Sequence, residues 1–348
     1  MAVKPLQFAF CSLLIICAGI VMARAPEGGY RLIKKYDLGA APGGKEYWDY
    51  ITFDKTTRRL YISHNTEVKV VDADTGAIVG GVPELKRVHG TALVNELGRG
   101  FLSDGGADEV VMFDMKTLKV TGHIKTGGNP DCIIYDPASK HVFTFNGKTN
   151  DVTVIDPGTA TVVATIPMGG RPEYAVADGQ GTIYDNIEDK NEVVAIDSRS
   201  NTVKTRWPIS PAEGATAIDL DAQHHRLFIS GRNKVLAILN VDTGKVVQTF
   251  PIGAGVDTNI FDPESGFLFV AVREGILHII HEENPDRFKV LEDVKTEFGA
   301  RNMAFDPKSH RLFLDTADFT PAAQPTAEQP NPQPTPVSGT FRLLVYGR

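Results

Sequence analysis

Cysteine is scarce in this sequence, which has three among 348 residues. Cys11 and Cys17 lie in an apolar stretch at the N-terminus, so Cys132 is the one thiol of the remaining chain. A single cysteine forms no internal disulfide, and packing and sheet hydrogen bonds therefore have to hold the fold together. We expect Cys132 to be buried and inert, because a nucleophilic cysteine needs a lowered pKa.

An excess of basic residues is also missing. Asp and Glu (43) outnumber Lys and Arg (36), and the net charge is −7 at pH 7. Nucleic-acid binding relies on a positive field, so this balance argues against a nucleic-acid partner. The sequence also has no H-E-x-x-H, C-x-x-C-H, G-x-S-x-G or P-loop motif. The enzyme classes that these motifs define are therefore not indicated.

Long hydrophobic runs are confined to the N-terminus. Residues 6–22 are apolar, Lys4 precedes them, and Ala23-Arg24-Ala25 follows as an A-x-A cleavage site. This pattern predicts a signal peptide over residues 1–25 and a periplasmic or secreted protein with no membrane span after its removal. An uncleaved anchor is the alternative, because the run is near the lower limit for spanning a membrane.

Internal repetition is what the sequence has in quantity. An apolar strand ending in Asp or Asn, a polar turn and a second strand recur seven times, at intervals of 41 to 44 residues. The repeated positions are Asp54, Asn95, Asp136, Asp178, Asp221, Asp262 and Asp306. Third strands ending in motifs such as VVDADTG, and fourth strands after them, predict four strands per repeat, joined by tight turns. Four-stranded units of this length are typical of β-propeller blades.

The two ends of the chain complete a ring. Residues 31–39 have the pattern of a fourth strand, and residues 340–348 that of a third strand with no fourth strand after it. Pairing of residues 31–38 with residues 341–346 would complete the seventh blade and remove an exposed sheet edge. We therefore predict one all-β domain over residues 26–348, a closed seven-bladed β-propeller.

A Pro-rich insertion at residues 317–339 interrupts the last blade between its second and third strands. Its six prolines predict an extended, polyproline-like segment. Two interpretations stay open: a tolerated surface insertion, or a flap over the functional face.

The repeats resemble the YVTN-type (YncE-like) β-propeller family of exported bacterial proteins. The family is named for the end of the second strand, where this sequence has Tyr61-Ile62-Ser63-His64 and Phe143-Thr144-Phe145-Asn146. The D-x-x-T-G turn over Asp72–Gly76 fits the family better. The resemblance implies the propeller fold for all seven repeats and says little about function, because a fold does not define its chemistry.

Propeller geometry indicates where a site would lie. Residues just before the innermost strands converge at one mouth of the central channel, together with the loops between second and third strands. Five residues before each repeated Asp or Asn stand Asp49, Gly90, Asp131, Glu173, Thr216, Asp257 and Arg301, with His89 beside Gly90. We predict an acidic funnel whose ligand-binding residues are Trp48, Asp49, His64, His89, Asp131, Glu173, Glu188, Asp257, Arg273 and Arg301.

Several functions are open for this funnel. It could bind a small-molecule ligand, a cation or a protein partner; it could be an enzyme, such as a metal-assisted hydrolase, lactonase or lyase. Single-stranded DNA binding, implied by the family resemblance, is a further alternative that an acidic funnel disfavours. If a cofactor is present, a divalent cation is the one that the residues suggest, held by Asp49, His64, His89 and Asp131.

The polar residues of the predicted funnel also have a structural interpretation. The acidic residues could simply cap turns through backbone N–H groups. No catalytic residue can be assigned, and whether a reaction occurs is open. We expect a monomer. On the opposite face, His224 and His225 are predicted to be solvated turn residues.

Overall fold

A computed structural model describes residues 1, 29–326 and 331–348 of the chain. Over these residues, seven four-stranded antiparallel sheets form a ring, which confirms the predicted seven-bladed β-propeller. The predicted leader (residues 1–25) lies outside the described residues apart from Met1. Within the described part of the chain, no helix is both long and apolar enough to cross a membrane.

The blades follow the chain, and each begins with its innermost strand. Strand β1 (Arg31–Asp37) precedes the first blade. Blade 1 comprises β2 (Trp48–Asp54), β3 (Arg59–His64), β4 (Glu67–Asp72) and β5 (Ile78–Val82). Blade 2 comprises β6 (Val88–Val94), β7 (Arg99–Asp104), β8 (Glu109–Asp114) and β9 (Val120–Lys125). Blade 3 comprises β10 (Pro130–Asp136), β11 (His141–Asn146), β12 (Asp151–Asp156) and β13 (Thr161–Pro167).

The second half of the ring repeats this order. Blade 4 comprises β14 (Pro172–Ala177), β15 (Thr182–Ile187), β16 (Glu192–Asp197) and β17 (Thr202–Pro208). Blade 5 comprises β18 (Ala215–Asp221), β19 (Arg226–Gly231), β20 (Val235–Asn240) and β21 (Lys245–Pro251). Blade 6 comprises β22 (Val256–Asp262), β23 (Phe267–Val272), β24 (Ile276–Asn284) and β25 (Arg287–Lys295). Short 3-10 helices cover Pro42–Gly44, Asn95–Leu97 and Glu188–Lys190.

Blade 7 joins the two ends of the chain. Its inner strands are β26 (Met303–Asp306) and β27 (Arg311–Thr316), and a two-stranded ribbon, β28 (Phe319–Thr320) with β29 (Thr335–Pro336), closes the base of the Pro-rich insertion. Strand β30 (Arg342–Gly347) then pairs with β27, and β1 pairs antiparallel with β30 at the outer edge. The predicted closure of the ring is therefore confirmed.

Hydrophobic side chains fill the spaces between neighbouring blades. Leu60 and Ile62 of blade 1 pack with Phe313 and Leu343 of blade 7, and all four are fully buried. The alternation of strand residues places one face of each sheet against the next blade, so every blade is stabilised by two neighbours.

In the blades other than blade 2, the repeated Asp caps the turn that follows the innermost strand. In blade 1, Asp54 Oδ1 accepts a hydrogen bond from the Thr56 amide at 2.9 Å. The other oxygen, Oδ2, accepts one from the Thr57 hydroxyl at 2.5 Å. These turns lie at the face opposite the beginnings of the innermost strands. They therefore contribute to the stability of the blades and not to the predicted site at the mouth of the channel.

Candidate functional site

A β-bulge interrupts the beginning of the innermost strand in blades 1 to 6. In each of these strands the pairing register shifts just after the first residue. A bulge bends its strand and re-aims a side chain, and here it affects the second residue of every strand. Together with the residue five positions before Asp306, these positions form what we call the entry ring: Asp49, His89, Asp131, Glu173, Thr216, Asp257 and Arg301.

The sheet register corrects one member of the predicted ring. Counting from Asn95 placed Gly90 in it, with His89 beside it. In the structure Val94, not Asn95, pairs with Arg99 at the end of the strand, and Asn95 begins a 3-10 turn. The equivalent of Asp49 is therefore His89, one residue earlier than the count predicted.

Three entry-ring side chains meet in a group that we call the front cluster, Asp49, His89 and Asp131. Nδ1 of His89 lies 2.7 Å from Asp49 Oδ2 and 3.3 Å from Asp131 Oδ1. The Tyr47 hydroxyl donates to the same Asp49 oxygen at 2.8 Å. The ligating atoms of the cluster all lie within 4.8 Å of one another. One imidazole nitrogen and two carboxylates make a donor set that suits a divalent transition metal or zinc.

The electrostatics of the front cluster reflect its burial. Burial opposes ionisation of Asp49, but hydrogen bonds from His89 and Tyr47 outweigh it, so the pKa of Asp49 lies below its ordinary value. Burial also disfavours a charged His89, and the carboxylates of Asp131 and Asp49 outweigh it, which raises the pKa of His89. For Asp131, burial and the charges of Asp49 and Asp257 raise the pKa to about 6. The cluster thus concentrates negative charge around one imidazole.

Arginines accompany the carboxylates on the other side of the ring. Glu188 lies 3.1 Å from Arg171 and 2.7 Å from Arg232. Glu173 lies 3.3 Å from Arg171. Burial, with the charges of Asp131 and Glu188, nevertheless raises the pKa of Glu173 to about 9. This side of the mouth is therefore more balanced in charge than the acidic funnel that we predicted.

The pair Asp257 and Arg301 links this side to a small cavity. Arg301 Nε lies 3.0 Å from Asp257 Oδ2, and burial raises the pKa of Asp257 to about 6 although Arg301 opposes it. The cavity beside Arg301 measures about 220 Å³. Its lining residues are Glu46, Tyr47, Trp48, Arg273, Gly299, Arg301, Phe319 and Pro336.

Aromatic residues and the Pro-rich insertion wall this cavity. Trp48 is 8% exposed and packs edge-on against Phe319, with ring centroids 6.0 Å apart. The Arg273 guanidinium lies 5.4 Å from the centroid of the Phe298 ring, and its NH1 donates to Gln333 Oε1 at 3.3 Å. Phe319 belongs to the ribbon at the base of the insertion, so the insertion contributes a wall on the predicted functional face.

His64 does not join the front cluster. Its Nε2 lies 2.6 Å from Glu46 Oε2, and its ring stacks on Phe341 at a centroid distance of 4.1 Å. The side chain is fully buried, and burial lowers its pKa although Glu46 opposes this. We therefore remove His64 from the predicted cation ligands. Its partner Glu46 was not among the predicted site residues. Glu46 reaches His64 because it lies two residues before Trp48, which pairs with His64 in blade 1.

Further residues of the mouth were absent from the predicted set. Tyr47 bridges the front cluster and the cavity, and Arg87 lies 4.7 Å from the Tyr47 ring centroid. Arg171 and Arg232 neutralise Glu188. Their positions next to entry-ring residues, in the loops that enter or cross each blade, were the available signal.

The central channel behind the entry ring has a volume of about 660 Å³. Tyr50 and Tyr174 meet in it edge-to-face, with ring centroids 5.0 Å apart. Cys132 lines it and is 3% exposed, and burial raises the pKa of its thiol well above the ordinary value. An inert thiol agrees with the sequence prediction.

Comparison with known proteins supports the fold. No family model matches the sequence, and no curated protein matches it. A chain of Kuenenia stuttgartiensis hydrazine synthase is similar, with a TM-score of 0.67 and 18% identity, over 76% of this chain and 91% of that one. A chain in the crystal structure of a mitotic checkpoint complex has a TM-score of 0.72 and 14% identity, over 97% and 99%. At these identities the likeness extends to the β-propeller fold alone, and membership of the YVTN-type family stays a prediction.

Proposed function

We propose that this β-propeller binds a divalent cation at the front cluster and, beside it, a small anionic ligand. The observation that carries the proposal is the convergence of one ligand atom each from Asp49, His89 and Asp131 within 4.8 Å of one another at the mouth of the channel. Three neighbouring blades each contribute one of these atoms from the same bulged position. Packing of consecutive blades brings them together, although they are about 40 residues apart in sequence.

A cation would relieve the charge imbalance of the front cluster. Two carboxylates face a single imidazole nitrogen, and the charge of Asp257 adds to them from the far side of the ring. A divalent ion in place of the shared proton neutralises both carboxylates. Three protein ligands with a fourth, open position are the arrangement in which zinc sites accept a water molecule or an outside ligand.

The neighbouring cavity favours an anionic ligand in that open position. Tyr47 belongs to both sites, since its hydroxyl bonds Asp49 and its side chain lines the cavity. Arg273 and Arg301 supply positive charge, while Trp48 and Phe319 supply apolar walls. A volume of about 220 Å³ is below the usual range for drug-sized ligands. We therefore expect a small organic carboxylate or phosphate.

Cation titration of matched variants tests the first half of the proposal. Calorimetry with Zn²⁺ or Mn²⁺ on His224→Ser protein, which limits binding to the front cluster, gives the reference affinity. Asp131→Asn should weaken it about 100-fold, because the amide lacks the ligand charge. Asp257→Asn makes the same chemical change in the entry ring outside the cluster and should stay within about threefold. Equal affinity in the reference and Asp131→Asn proteins would overturn the proposal.

Ligand screening tests the second half. Small carboxylates and phosphates should raise the melting temperature when the cation is bound and have little effect in the presence of a chelator. Arg273→Gln should abolish the ligand effect and keep the cation affinity, because Arg273 lines the cavity but does not contact the front cluster. If the ligand raises the melting temperature equally with and without the cation, ligand binding does not depend on the metal and the proposed coupling is refuted.

A further inference from the structure

A second cluster of two carboxylates and a histidine lies at the opposite face, among the turns between first and second strands. Nδ1 of His224 lies 2.7 Å from Asp221 Oδ2 in its own blade and 2.7 Å from Glu282 Oε1 in the next blade. We call these three residues the turn cluster. It is remote from the entry ring, because the two groups occupy opposite ends of the innermost strands.

The repeat provides an internal reference for His224. In blades 1, 6 and 7 the residue three positions after the repeated Asp is Thr57, Ser265 or Ser309, and its hydroxyl donates to Oδ2 of that Asp at 2.5 to 2.6 Å. Blade 5 has an imidazole in place of this hydroxyl. The hydroxyl satisfies the turn in other blades, so the turn itself does not require a histidine.

Glu282 is a second departure from the repeat. In several blades a residue at or just after the end of the third strand donates its amide to the end of the first turn. These equivalent residues are Ala73, Met115, Ser198, Val241 and Glu282. All except Glu282 are apolar or small. Glu282 is 9% exposed, so blade 6 buries a carboxylate where blades 1, 2 and 4 bury Ala73, Met115 and Ser198.

The hydrogen bonds available do not satisfy Glu282. The one hydrogen that Nδ1 of His224 can carry is directed to one acceptor, and Asp221 Oδ2 accepts it at 2.7 Å. Neither oxygen of Glu282 has a hydrogen-bond partner, although Oε1 lies against the same nitrogen. A buried carboxylate without a partner is costly. His224 and Glu282, the two residues that depart from the repeat, are thus in contact. The carboxylate of Glu282 lacks a positively charged partner among the described residues.

We propose that Asp221, His224 and Glu282 bind a divalent cation of the zinc type that links blades 5 and 6. The ligand atoms are Asp221 Oδ2, His224 Nδ1 and Glu282 Oε1, which lie within 4.8 Å of one another. Asp221 Oδ1 remains free to cap its turn by accepting from the Gln223 amide at 3.0 Å. The His224 side chain is 38% exposed, so water can complete the coordination.

The surroundings agree with this assignment. The nearby Arg226 does not supply the missing charge, because its guanidinium bonds Asp286 at 2.6 Å and the Pro285 carbonyl at 2.7 Å. Two carboxylates and a neutral imidazole around a divalent ion give a site with no net charge, which suits a partly buried position.

Zinc stoichiometry of the full protein tests the proposal in a His89→Gln background, where the front cluster is disabled. One Zn²⁺ per chain should bind, and both His224→Ser and Glu282→Val should lose it. These variants restore the residue types of other blades (Ser309 and Val241), so they are expected to fold. His225→Ser, which changes the adjacent exposed histidine that pairs with Asp242, should keep the ion.

The outcomes separate the two sites. Zn²⁺ should raise the melting temperature of the His225→Ser protein in this background and leave that of His224→Ser unchanged. Stoichiometric zinc that persists in both His224→Ser and Glu282→Val, or no zinc in the His89→Gln protein, would overturn the turn-cluster site. Neither result affects the front cluster, whose titration is carried out with His224 already replaced.

Discussion

The front cluster and the turn cluster have the same composition and opposite surroundings. In each, two carboxylates share Nδ1 of one histidine. His89 is 2% exposed, and its neighbours are further entry-ring carboxylates, Tyr47 and a cavity. His224 is 38% exposed at its side chain and stands at the edge of a turn. Under our proposals, the same three groups serve a recognition site in one place and a junction between blades in the other.

The origin of each cluster explains this difference. The front cluster uses a position that blades 1 to 6 repeat, the second residue of the innermost strand, and the side chain at this position varies from blade to blade. The turn cluster arises where two blades depart from the repeat at different positions. Different side chains at equivalent positions of several blades line a shared surface at the mouth of the channel. In the turn cluster, His224 and Glu282 each depart from the repeat, and together they form a single contact between two blades.

Replacing each histidine by serine should give the largest contrast. With a chelator present, His89→Ser should lower the free energy of unfolding by about 2 kcal/mol, because Asp49 and Asp131 lose their buried partner. His224→Ser should change it by less than about 0.5 kcal/mol, since serine is the residue of equivalent turns. Urea unfolding measures both values, and equal losses would show that the clusters are structurally alike.

A methyl group placed behind His89 should disturb the front cluster alone. A Cβ atom at Gly105 would lie 2.7 Å from His89 Nε2, whereas the equivalent Gly147 would meet nothing closer than 3.5 Å. Gly105→Ala should therefore weaken cation binding at the front cluster about tenfold by displacing the imidazole. Gly147→Ala is the matched control, and zinc binding at the turn cluster should be unchanged in both variants. Unaltered titrations for Gly105→Ala would show that the ring position is not critical.

The pH dependence of stability should report the protonated carboxyl opposite the front cluster. Glu173 has a folded pKa of about 9 against an ordinary value of 4.5, so its contribution is fully present below about pH 4.5 and is lost as the pH rises towards 9. Glu173→Gln should remove this decline, which linkage puts at up to about 4 kcal/mol between pH 5 and 8. Thermal unfolding of chelator-treated protein measures it. Parallel curves for the two proteins would mean that Glu173 ionises normally.

The sequence predicted the blades, the closure of the ring and the mouth at which polar residues gather. Repeats at a constant interval determine strand order, and one position per repeat determines which residues converge. The count along the sequence places Gly90 instead of His89 in the entry ring, because Asn95 starts a 3-10 turn instead of ending a strand. The repeat interval of 41 residues is unchanged here, so it does not reveal that the turn starts one residue earlier.

Pairings between blades were not predictable in the same way. The contact of Arg232 with Glu188 and that of His224 with Glu282 depend on side-chain direction across a blade boundary. The contact of His64 with Glu46 depends on the path of the loop that leads into blade 1. The sequence of the turn around His224 predicts a solvated residue, because nothing in that turn indicates a buried carboxylate from the next blade. Such contacts follow from the packed structure, not from local pattern.

The pairing of β1 with β30 has a consequence for the order of folding. Among the described strands, β1 comes first in the chain and forms the outer edge of a sheet whose adjacent strand, β30, comes last. Blades 1 to 6 can assemble progressively from local hairpins, but blade 7 is complete only when β30 has joined β1. Contacts of such high sequence separation form slowly, so completing the circle should be a late kinetic step, and both clusters depend on interfaces that precede it.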